Sequence, residues 1–526
     1  MKLCSVKIYN YRNLDNLSFT FNDELNFIIG ENNLGKSNFI DLLQGLFDFT
    51  RFSEGDFFKL NVPIRIEMEL KLSARERPIF STRNKSLFIT AIQKNPDSNI
   101  VYFNAKTKTE ISVEAIRCVN FFRDGAIAEQ GLDFRFLKLE NFGRIYKYYK
   151  SRYGSLENLD LSKKFLLAIE FLILEKVSMV NKTRKDKIKE AFDKKARVNK
   201  KKPDKPFSFP IMLAFDELEM HLHPYIQRST VRALSKIINN ENSFFCEILK
   251  NEFGIKKFSG QIFIVTHSPN ILLNDYKQFI RFYKNTGQSA VVCGENINVQ
   301  NDKHLFKNFI YFKEAFFAKF VIVVEGDSEF VAIPEFAEKI LGGNNFDTFG
   351  VSIIKADGKA SVSLVMKILQ AFKINNLGVV DRDDDDYSVI QSRLNRRPHL
   401  YTTYYRDFEE ELLEKLGFET YHLLDKFLFL SENEKSTFFT RTIRDEQYCK
   451  KLAEKYSLNI DFEKLTSKDY LLQNYLKETE VIKLFYLSEL NRRKGVSFWH
   501  ELAYELPPKF IPDIYRKIIL EAVAIE

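Results

Sequence analysis

Residues 30–37 read Gly30-Glu31-Asn32-Asn33-Leu34-Gly35-Lys36-Ser37, which fits the phosphate-loop pattern. An apolar run from Leu25 to Ile29 precedes this stretch, and apolar residues recur at helical spacing after Asn38. A strand, a loop and a helix in this order are the context that a phosphate loop requires. The stretch therefore predicts an α/β domain with a nucleotide site at the end of a strand.

The residue types in this loop predict how ATP is held. Glycines at both ends let successive backbone amides converge on the phosphates, and the start of the following helix adds an attraction. Lys36 is expected to reach the β and γ oxygens, and Ser37 is expected to bind Mg²⁺. Asn32, Asn33 and Gly35 complete the predicted ATP-binding loop.

Two later strands predict the remainder of the ATP site. The run from Pro210 to Phe215 ends in Asp216 and Glu217. Asp216 is expected to hold the Mg²⁺ shell, and Glu217 is placed to polarise the attacking water. A further apolar run ends at His267, which in this layout would sense the γ-phosphate.

The second half of the chain carries a different pattern, in which two apolar runs each end in carboxylates: Phe320–Val324 before Glu325, and Leu377–Val380 before Asp381 and Asp383. Parallel strands bring their carboxyl ends to one edge of a sheet, which is where ligands bind. Glu325, Asp381 and Asp383 are therefore predicted to form one acidic pocket. Hard oxygen ligands suit Mg²⁺ or Mn²⁺, and two such ions can promote phosphodiester cleavage. The acidic run 383–386 also fits a solvated loop.

Length and composition limit the class of protein. The 526 residues, 45% of them hydrophobic, suffice for two to four domains. No stretch approaches the ~20 apolar residues of a membrane helix, and the first residues lack the apolar block of a signal peptide. The five cysteines lie far apart, which argues against a disulfide framework and a CxxC zinc site. We expect a soluble, cytoplasmic protein without membrane partners.

The net charge of +8 is concentrated in one segment, residues 181–206. Twelve lysines and arginines stand against four acids between Asn181 and Lys205. Such a run gains affinity for phosphate backbones through counterion release. It fits a DNA contact and a solvated insertion equally well.

Together these motifs resemble a known family. Four stretches resemble the ABC-type ATPase of RecF and SMC proteins: Tyr11-Arg12-Asn13, the phosphate loop, Asp216–Pro224, and Thr266-His267-Ser268-Pro269. With the acidic pattern added, the chain resembles the overcoming lysogenization defect (OLD) nucleases over nearly its full length. The resemblance implies an α/β fold, with an ABC-type ATPase domain and its inserted arm or dimerisation elements at 1–312. A TOPRIM parallel-sheet domain with a mostly helical C-terminal region is implied at 313–526.

The resemblance also implies further groups at the acidic pocket. Glu329 is similar to the second glutamate of the OLD pattern, which assists metal binding. The stretch 406–412 resembles an acidic segment in which Glu409 or Glu411 adds a carboxylate for a second metal, and the choice between the two stays open. Lys494 maps to the catalytic lysine of the family, where a fixed cation could stabilise charge on the scissile phosphate.

One ATPase motif departs from the family pattern. Related ATPases carry a signature of the LSGGQ type, which completes the partner's site in a dimer. The best match, 161–165, reads Leu-Ser-Lys-Lys-Phe and lacks both glycines. Whether ATP is hydrolysed, or serves as a conformational regulator, is therefore left open.

The resulting hypothesis is a metal-dependent DNA endonuclease, regulated by ATP and acting in anti-phage defence. We expect at least a homodimer, with a helicase-like protein or a retron reverse transcriptase and its DNA as possible partners. The rival is a non-cleaving, RecF-like DNA clamp or sensor that recruits a partner. This alternative predicts that the acidic residues of the pocket are replaced by other types, whereas Glu325, Asp381 and Asp383 are all present. Absent cysteine pairs argue against a primase, and no helix-turn-helix context singles out a topoisomerase tyrosine.

Overall fold

The computed structural model describes residues 1–74, 76–124, 143–154, 156–196, 207–220, 222–299, 309, 312–383, 399–428, 445–465, 479–493 and 495–524. The chain divides into two compact units, Met1–Asn298 and Val299–Glu526. The side chains of residues 181–196 and all of 197–206 are outside this description, so the role of the basic segment stays a prediction. None of the helices among the described residues combines the length and apolar content that a membrane span requires.

The first unit contains two six-stranded sheets with helices packed on them. Its strands are β1 (Lys2–Tyr9), β2 (Ser18–Thr20), β3 (Leu25–Gly30), β4 (Ile64–Lys71), β5 (Ser86–Gln93), β6 (Val101–Asn104), β7 (Glu110–Ile111), β8 (Asn120–Asp124), β9 (Phe207–Asp216), β10 (Ile255–Val265), β11 (Phe279–Asn285) and β12 (Gln288–Cys293). Its helices are α1 (Lys36–Asp48), α2 (Val113–Ile116), α3 (Gly143–Tyr153), α4 (Leu161–Ala196), α5 (Pro224–Ile238) and α6 (Ser243–Phe253).

The central sheet has the order β12-β11-β3-β10-β9-β8 and is parallel except for β12. β3 and the second half of β10 are apolar and buried, as strands covered on both faces of a parallel sheet must be. β10 lies between β3 and β9, with Val265 opposite both Ile28 and Asp216. This register brings the loops that follow all three strands to one edge.

The second sheet, of order β2-β1-β4-β5-β6-β7, is antiparallel. Its side chains share one buried core with α1 and the central sheet. Phe39 of α1 stacks on Phe19 of β2 with ring centroids 4.4 Å apart, and Phe39 also meets Phe263 of β10. Aromatic rings of this size contribute much of the apolar area that a core buries, so α1 and its phosphate loop are fixed firmly.

Strands and helices occupy the described parts of the interval between Pro63 and Phe207, which separates the phosphate loop from the strand that ends in Asp216. The longest helix, α4, begins at Leu161, so the degenerate signature candidate forms its first turn. Glu170 anchors α4, since its carboxylate accepts hydrogen bonds from Tyr149 Oη at 2.7 Å and from Asn242 Nδ2 at 2.9 Å.

The second unit is built on a four-stranded parallel sheet of order β14-β13-β15-β16. The strands are β13 (Phe320–Val324), β14 (Val351–Lys355), β15 (Asn375–Val380) and β16 (Leu400–Thr402). The helices are α7 (Asp327–Ile340), α8 (Phe346–Phe349), α9 (Lys359–Ala371), α10 (Phe408–Leu416), α11 (Asp425–Leu428), α12 (Glu446–Lys455), α13 (Phe462–Leu465), α14 (Thr479–Arg492), α15 (Val496–Glu505) and α16 (Asp513–Val523). The C-terminal part is helical, as predicted, and packs around the fully buried Trp499.

The α/β fold confirms the prediction. A proline in this stretch predicts either a kink in α7 or a late start; the late start is wrong, because the helix begins at Asp327 and Pro334 lies inside it. A proline removes one hydrogen bond, the one to the residue four positions earlier. The acids Asp327 and Glu329 in the first turn favour an early start, because they complement the helix dipole.

Candidate functional site

The phosphate loop needs glycine at both ends. Gly30 has φ +119° and Gly35 has φ +102°, conformations that residues with a Cβ rarely adopt. A Cβ at Gly30 would lie 2.0 Å from the carbonyl oxygen of Phe282, and one at Gly35 would lie 2.6 Å from Asn13 Oδ1. The close approach of the neighbouring backbone and of Asn13 therefore excludes larger residues.

Lys36 begins α1 and folds back over the loop. Its Nζ donates to the carbonyl oxygens of Gly30 at 2.8 Å and Glu31 at 2.7 Å. The side chain is buried, and burial lowers the pKa of Lys36 to about 8, although nearby Asp216 and Glu217 oppose the shift. The Lys36 ammonium thus lies over the loop at which the sequence predicts the phosphates of ATP.

The other predicted ATP-site residues lie at the same edge of the sheet. Asp216 ends β9, and Glu217 follows it with φ 52° and its amide donating to the Val265 carbonyl at 3.0 Å. Thr266, before His267, donates its amide to the Ile28 carbonyl at 3.1 Å. The side chains of Asn32, Asn33, Ser37, Glu217 and His267 are exposed, as ligand-binding groups must be.

Sequence reasoning missed a charged network beside this site. Asp41 of α1 forms ion pairs with both Arg12 and Arg123. Arg123, near the end of β8, also lies 3.6 Å from Asp216. Arg12 belongs to a stretch that the family resemblance singles out, but no sequence motif marks Arg123 or Asp41.

Glu219 is a second residue that the sequence did not single out. Its Oε1 accepts hydrogen bonds from Thr266 Oγ1 at 2.8 Å and from the His267 amide at 2.6 Å. The turn after β9 is thereby tied to the loop after β10, which carries the predicted γ-phosphate sensor.

The second unit contains an acidic cavity of about 380 Å³ at the carboxyl edge of its sheet. We call it the carboxylate cavity. Its acidic lining residues are Glu325, Asp327, Glu329, Asp381, Asp383, Asp407 and Glu409. The predicted metal ligands of the two strand ends are thus brought together with Glu329 of α7 and Glu409 of α10.

The strongest sign that the carboxylate cavity accommodates a cation is Asp381. Its amide donates to Glu325 Oε2 at 3.2 Å, whereas its Oδ1 is buried without a hydrogen-bond partner among the described residues. Burial, with Glu329 and Asp407 nearby, raises the pKa of Asp381. Burial likewise raises the pKa of Glu329 and of Glu325. Crowded carboxylates with raised pKa values need a cation to become ionised together.

Asp383 is more exposed than Asp381 and has different partners. It is exposed, with φ 51°, and forms an ion pair of 2.6 Å with Lys359. Its amide donates to the Arg406 carbonyl at 2.8 Å, which fixes the position of the loop. Asp383 is therefore available at the mouth of the carboxylate cavity.

The structure separates Glu409 from Glu411, two residues that the sequence leaves equivalent. Glu409 lines the carboxylate cavity, whereas Glu411 does not. Glu411 accepts a hydrogen bond from the Tyr405 amide at 2.7 Å, and burial raises its pKa to about 7. Glu410 is held by Lys483 at 2.8 Å. Of the two candidates, only Glu409 is therefore placed at the carboxylate cavity.

Among the cavity residues that sequence reasoning missed are Asp407, Lys455 and Asn491. They come from the start of α10 and the ends of α12 and α14, which only the tertiary fold brings together. Asp407 has a sequence signal, since it is the N-cap of α10 and accepts from the Glu410 amide at 3.0 Å. The predicted catalytic Lys494 lies outside the described residues.

The donor set fits Mg²⁺ or Mn²⁺, because it consists of carboxylate oxygens and includes the unpartnered Oδ1 of Asp381. Across the described ranges, no three His, Cys, Asp or Glu side chains already stand at metal-binding positions.

Comparison with solved structures gives remote likenesses. The SMC head domain from Thermotoga maritima is 13% identical, covers 57% of this chain and 100% of that chain, and has a TM-score of 0.31. The C-terminal region of the Xanthomonas campestris pv. campestris OLD protein is 21% identical over 40% of this chain and 95% of that chain, with a TM-score of 0.25. The C-terminal region of the Burkholderia pseudomallei OLD protein is 19% identical, covers 39% of this chain and 99% of that chain, and has a TM-score of 0.23. Among curated proteins, none matches.

Family models match both units. The AAA ATPase domain matches residues 1–208 and 191–272, together more than half of the chain. The overcoming lysogenization defect protein-like TOPRIM domain matches residues 316–383, which include Glu325, Glu329, Asp381 and Asp383. These domains support a nuclease with an ATPase module, and they imply the use of ATP and a divalent metal in general. The chain therefore belongs to the AAA ATPase family, and its second unit carries an OLD-like TOPRIM domain.

Proposed function

We propose that this protein is a DNA endonuclease that depends on Mg²⁺ or Mn²⁺ and is regulated by ATP. The observation that carries the proposal is the carboxylate cavity, in which the buried Oδ1 of Asp381 lacks a partner among the described residues. Acids are gathered there from strand ends and helix starts, an arrangement that costs free energy unless a cation is bound.

The chain's own residues have distinct roles in this proposal. Glu325, Glu329, Asp381, Asp383 and Glu409 would hold the ions, two of which fit the number of carboxylates. When bound, such ions activate water and stabilise the leaving oxygen of a phosphodiester. The predicted family lysine, Lys494, would contribute a further cation.

The ATPase unit would control this nuclease. Lys36 and Ser37 would bind the phosphates and Mg²⁺, Asp216 would hold the Mg²⁺ shell, and Glu217 and His267 would respond to the γ-phosphate. Hydrogen bonds from Lys36 to the phosphate-loop carbonyls and from the His267 amide to Glu219 hold these residues in place, which supports ATP binding. The altered signature sequence at 161–165 favours ATP as a regulator over rapid turnover.

DNA is the proposed substrate, and a homodimer or higher oligomer is the proposed assembly. Cutting both strands of a duplex favours two active sites. The basic segment 181–206 would add backbone affinity. A role in anti-phage defence, with a helicase-like protein or a retron reverse transcriptase and its DNA as partner, is part of the same proposal.

The test is cleavage of supercoiled plasmid by the full chain with Mg²⁺ or Mn²⁺, with and without ATP. Asp381→Asn is expected to abolish nicking, while Asp347→Asn serves as a matched control. Asp347 is an exposed acid of the same unit that does not line the carboxylate cavity. Equal nicking by wild type and Asp381→Asn would contradict the assigned site. Absence of nicking in every lane would favour the non-cleaving clamp.

A further inference from the structure

Among the described residues that line the carboxylate cavity, Lys455 is the only one with a cationic side chain. Seven carboxylates share that lining, so the cavity repels a phosphodiester in the absence of compensating charge. Metal ions supply charge at the carboxylates themselves. Beside the predicted Lys494, a further cation for the phosphate can come from the lining itself, where Lys455 supplies one.

Lys455 lies at the last position of α12, with its ammonium at the cavity surface. Its Nζ is 2.6 Å from Asp407 Oδ2, 3.0 Å from Tyr456 Oη and 3.4 Å from Asn491 Oδ1. The Lys455 side chain is 34% exposed, whereas that of Asp407 is 5% exposed. The Lys455 side chain therefore remains partly accessible to solvent, although its partner Asp407 is buried.

Asp407 does not depend on Lys455 alone. Tyr456 Oη donates to the same Oδ2 at 2.7 Å, and Asn491 Nδ2 donates to Tyr456 Oη at 2.7 Å. The other carboxylate oxygen of Asp407 accepts from the Glu410 amide at 3.0 Å. Because these contacts hold Asp407, the flexible lysine can turn towards a ligand without releasing the start of α10.

From this geometry we propose that Lys455 binds a non-bridging oxygen of the DNA phosphate at the carboxylate cavity. The inference rests on the proposed nuclease function and adds a substrate-binding cation to it. Asp407 holds the ammonium in place before DNA enters. The arriving phosphate then takes one of its N–H donors in a charge-assisted hydrogen bond.

Four variants of the full chain separate substrate binding from a structural role. Lys455→Met removes the charge and keeps the length, and Lys455→Arg keeps the charge. Lys450→Met is the matched control, because Lys450 is on the same helix, is 51% exposed and pairs with Glu446. Tyr456→Phe removes the other donor to Asp407 Oδ2 and leaves Lys455 in place.

The measurements are plasmid-nicking kinetics, Mn²⁺ affinity by electron paramagnetic resonance, and thermal unfolding. Lys455→Met is expected to lower kcat/KM by roughly 100-fold, the scale for losing one charge-stabilising donor. Its Mn²⁺ affinity and unfolding temperature should stay at wild-type values. Lys455→Arg should recover part of the loss, Tyr456→Phe should lose less than Lys455→Met, and Lys450→Met should cleave normally.

Two results would overturn the assignment of Lys455. One is wild-type cleavage by Lys455→Met. The other is a loss of Mn²⁺ affinity in Lys455→Met that matches its loss of cleavage, which would reduce Lys455 to a support for Asp407. The proposed nuclease function fails separately, if the unaltered chain shows no metal-dependent nicking. In that case the assignment of Lys455 fails as well.

Discussion

The backbone amide of Asp381 donates to Oε2 of Glu325 at 3.2 Å, which joins the ends of two neighbouring parallel strands through a carboxylate. This bond occupies one oxygen of Glu325 and aligns the two acids, but it does not neutralise them. The pKa of both carboxyl groups is raised by burial. Folding therefore places the two acids together against their mutual repulsion.

Asp381→Asn should stabilise the metal-free protein, although it abolishes nicking. The amide removes a buried like charge, and a gain of about 1 kcal/mol corresponds to an unfolding temperature higher by roughly 2–4 °C. Thermal unfolding with a chelator measures this gain. Addition of Mn²⁺ should stabilise wild type more than the variant, and equal stabilisation of both would argue against Asp381 as a ligand.

Glu409→Gln and Glu411→Gln should differ in metal affinity. Glu409 lines the carboxylate cavity, whereas Glu411 accepts the Tyr405 amide outside its lining. We expect Glu409→Gln to weaken Mn²⁺ binding by at least about 10-fold, a loss typical of damage to a metal site. Glu411→Gln should leave Mn²⁺ binding near wild type. Titration of both variants by isothermal calorimetry decides the assignment, and the reverse pattern would contradict it.

ATP binding should be accompanied by proton uptake above pH 8. Burial lowers the pKa of Lys36 to about 8, so in the free protein this lysine loses its proton as the pH rises through that value. Phosphate oxygens favour the ammonium form and raise the pKa again, so ATP affinity should fall between pH 8 and 10. Calorimetry in buffers of different ionisation enthalpy measures the uptake. Lys36→Arg stays charged throughout and should show none.

Glu219→Ala should impair ATP hydrolysis and loosen the loop that carries His267. It removes the acceptor of the Thr266 hydroxyl and of the His267 amide. The buried Thr266 hydroxyl left without its acceptor lowers the free energy of unfolding by about 1–3 kcal/mol. Denaturant unfolding and phosphate release measure the two effects. Glu241→Ala, at an exposed acid of the same unit, is the control, and equal behaviour of the two variants would show that Glu219 has no such role.

Elements and strand ends could be predicted because they depend on local patterns. β13 spans Phe320–Val324, as expected from its apolar run, and Asp216 and His267 lie at one edge because parallel strands share their direction. Glu325 and Asp381 are neighbours for the same reason. The position of Glu325 and Asp381 in the carboxylate cavity could therefore be predicted from the order of the motifs.

Other parts of the site depend on contacts between distant elements. Lys455 and Asn491 reach Asp407 only after α12 and α14 have packed, and no local pattern encodes that packing. Glu409 and Glu411 are two positions apart on one helix, so they point to different faces. The choice between them requires knowing which face of α10 is turned towards the sheet.

The carboxylate of Asp41 is shared between Arg12, which follows the first strand, and Arg123, which lies more than a hundred positions further on. Loss of either arginine leaves the carboxylate to the other, whereas loss of Asp41 takes a partner from both, leaving Arg12 with Asp56 and Arg123 with Asp216. Mutational tolerance is thus uneven across the trio. A substitution of one arginine removes one of the two ion pairs of Asp41. A substitution of Asp41 removes both ion pairs at once.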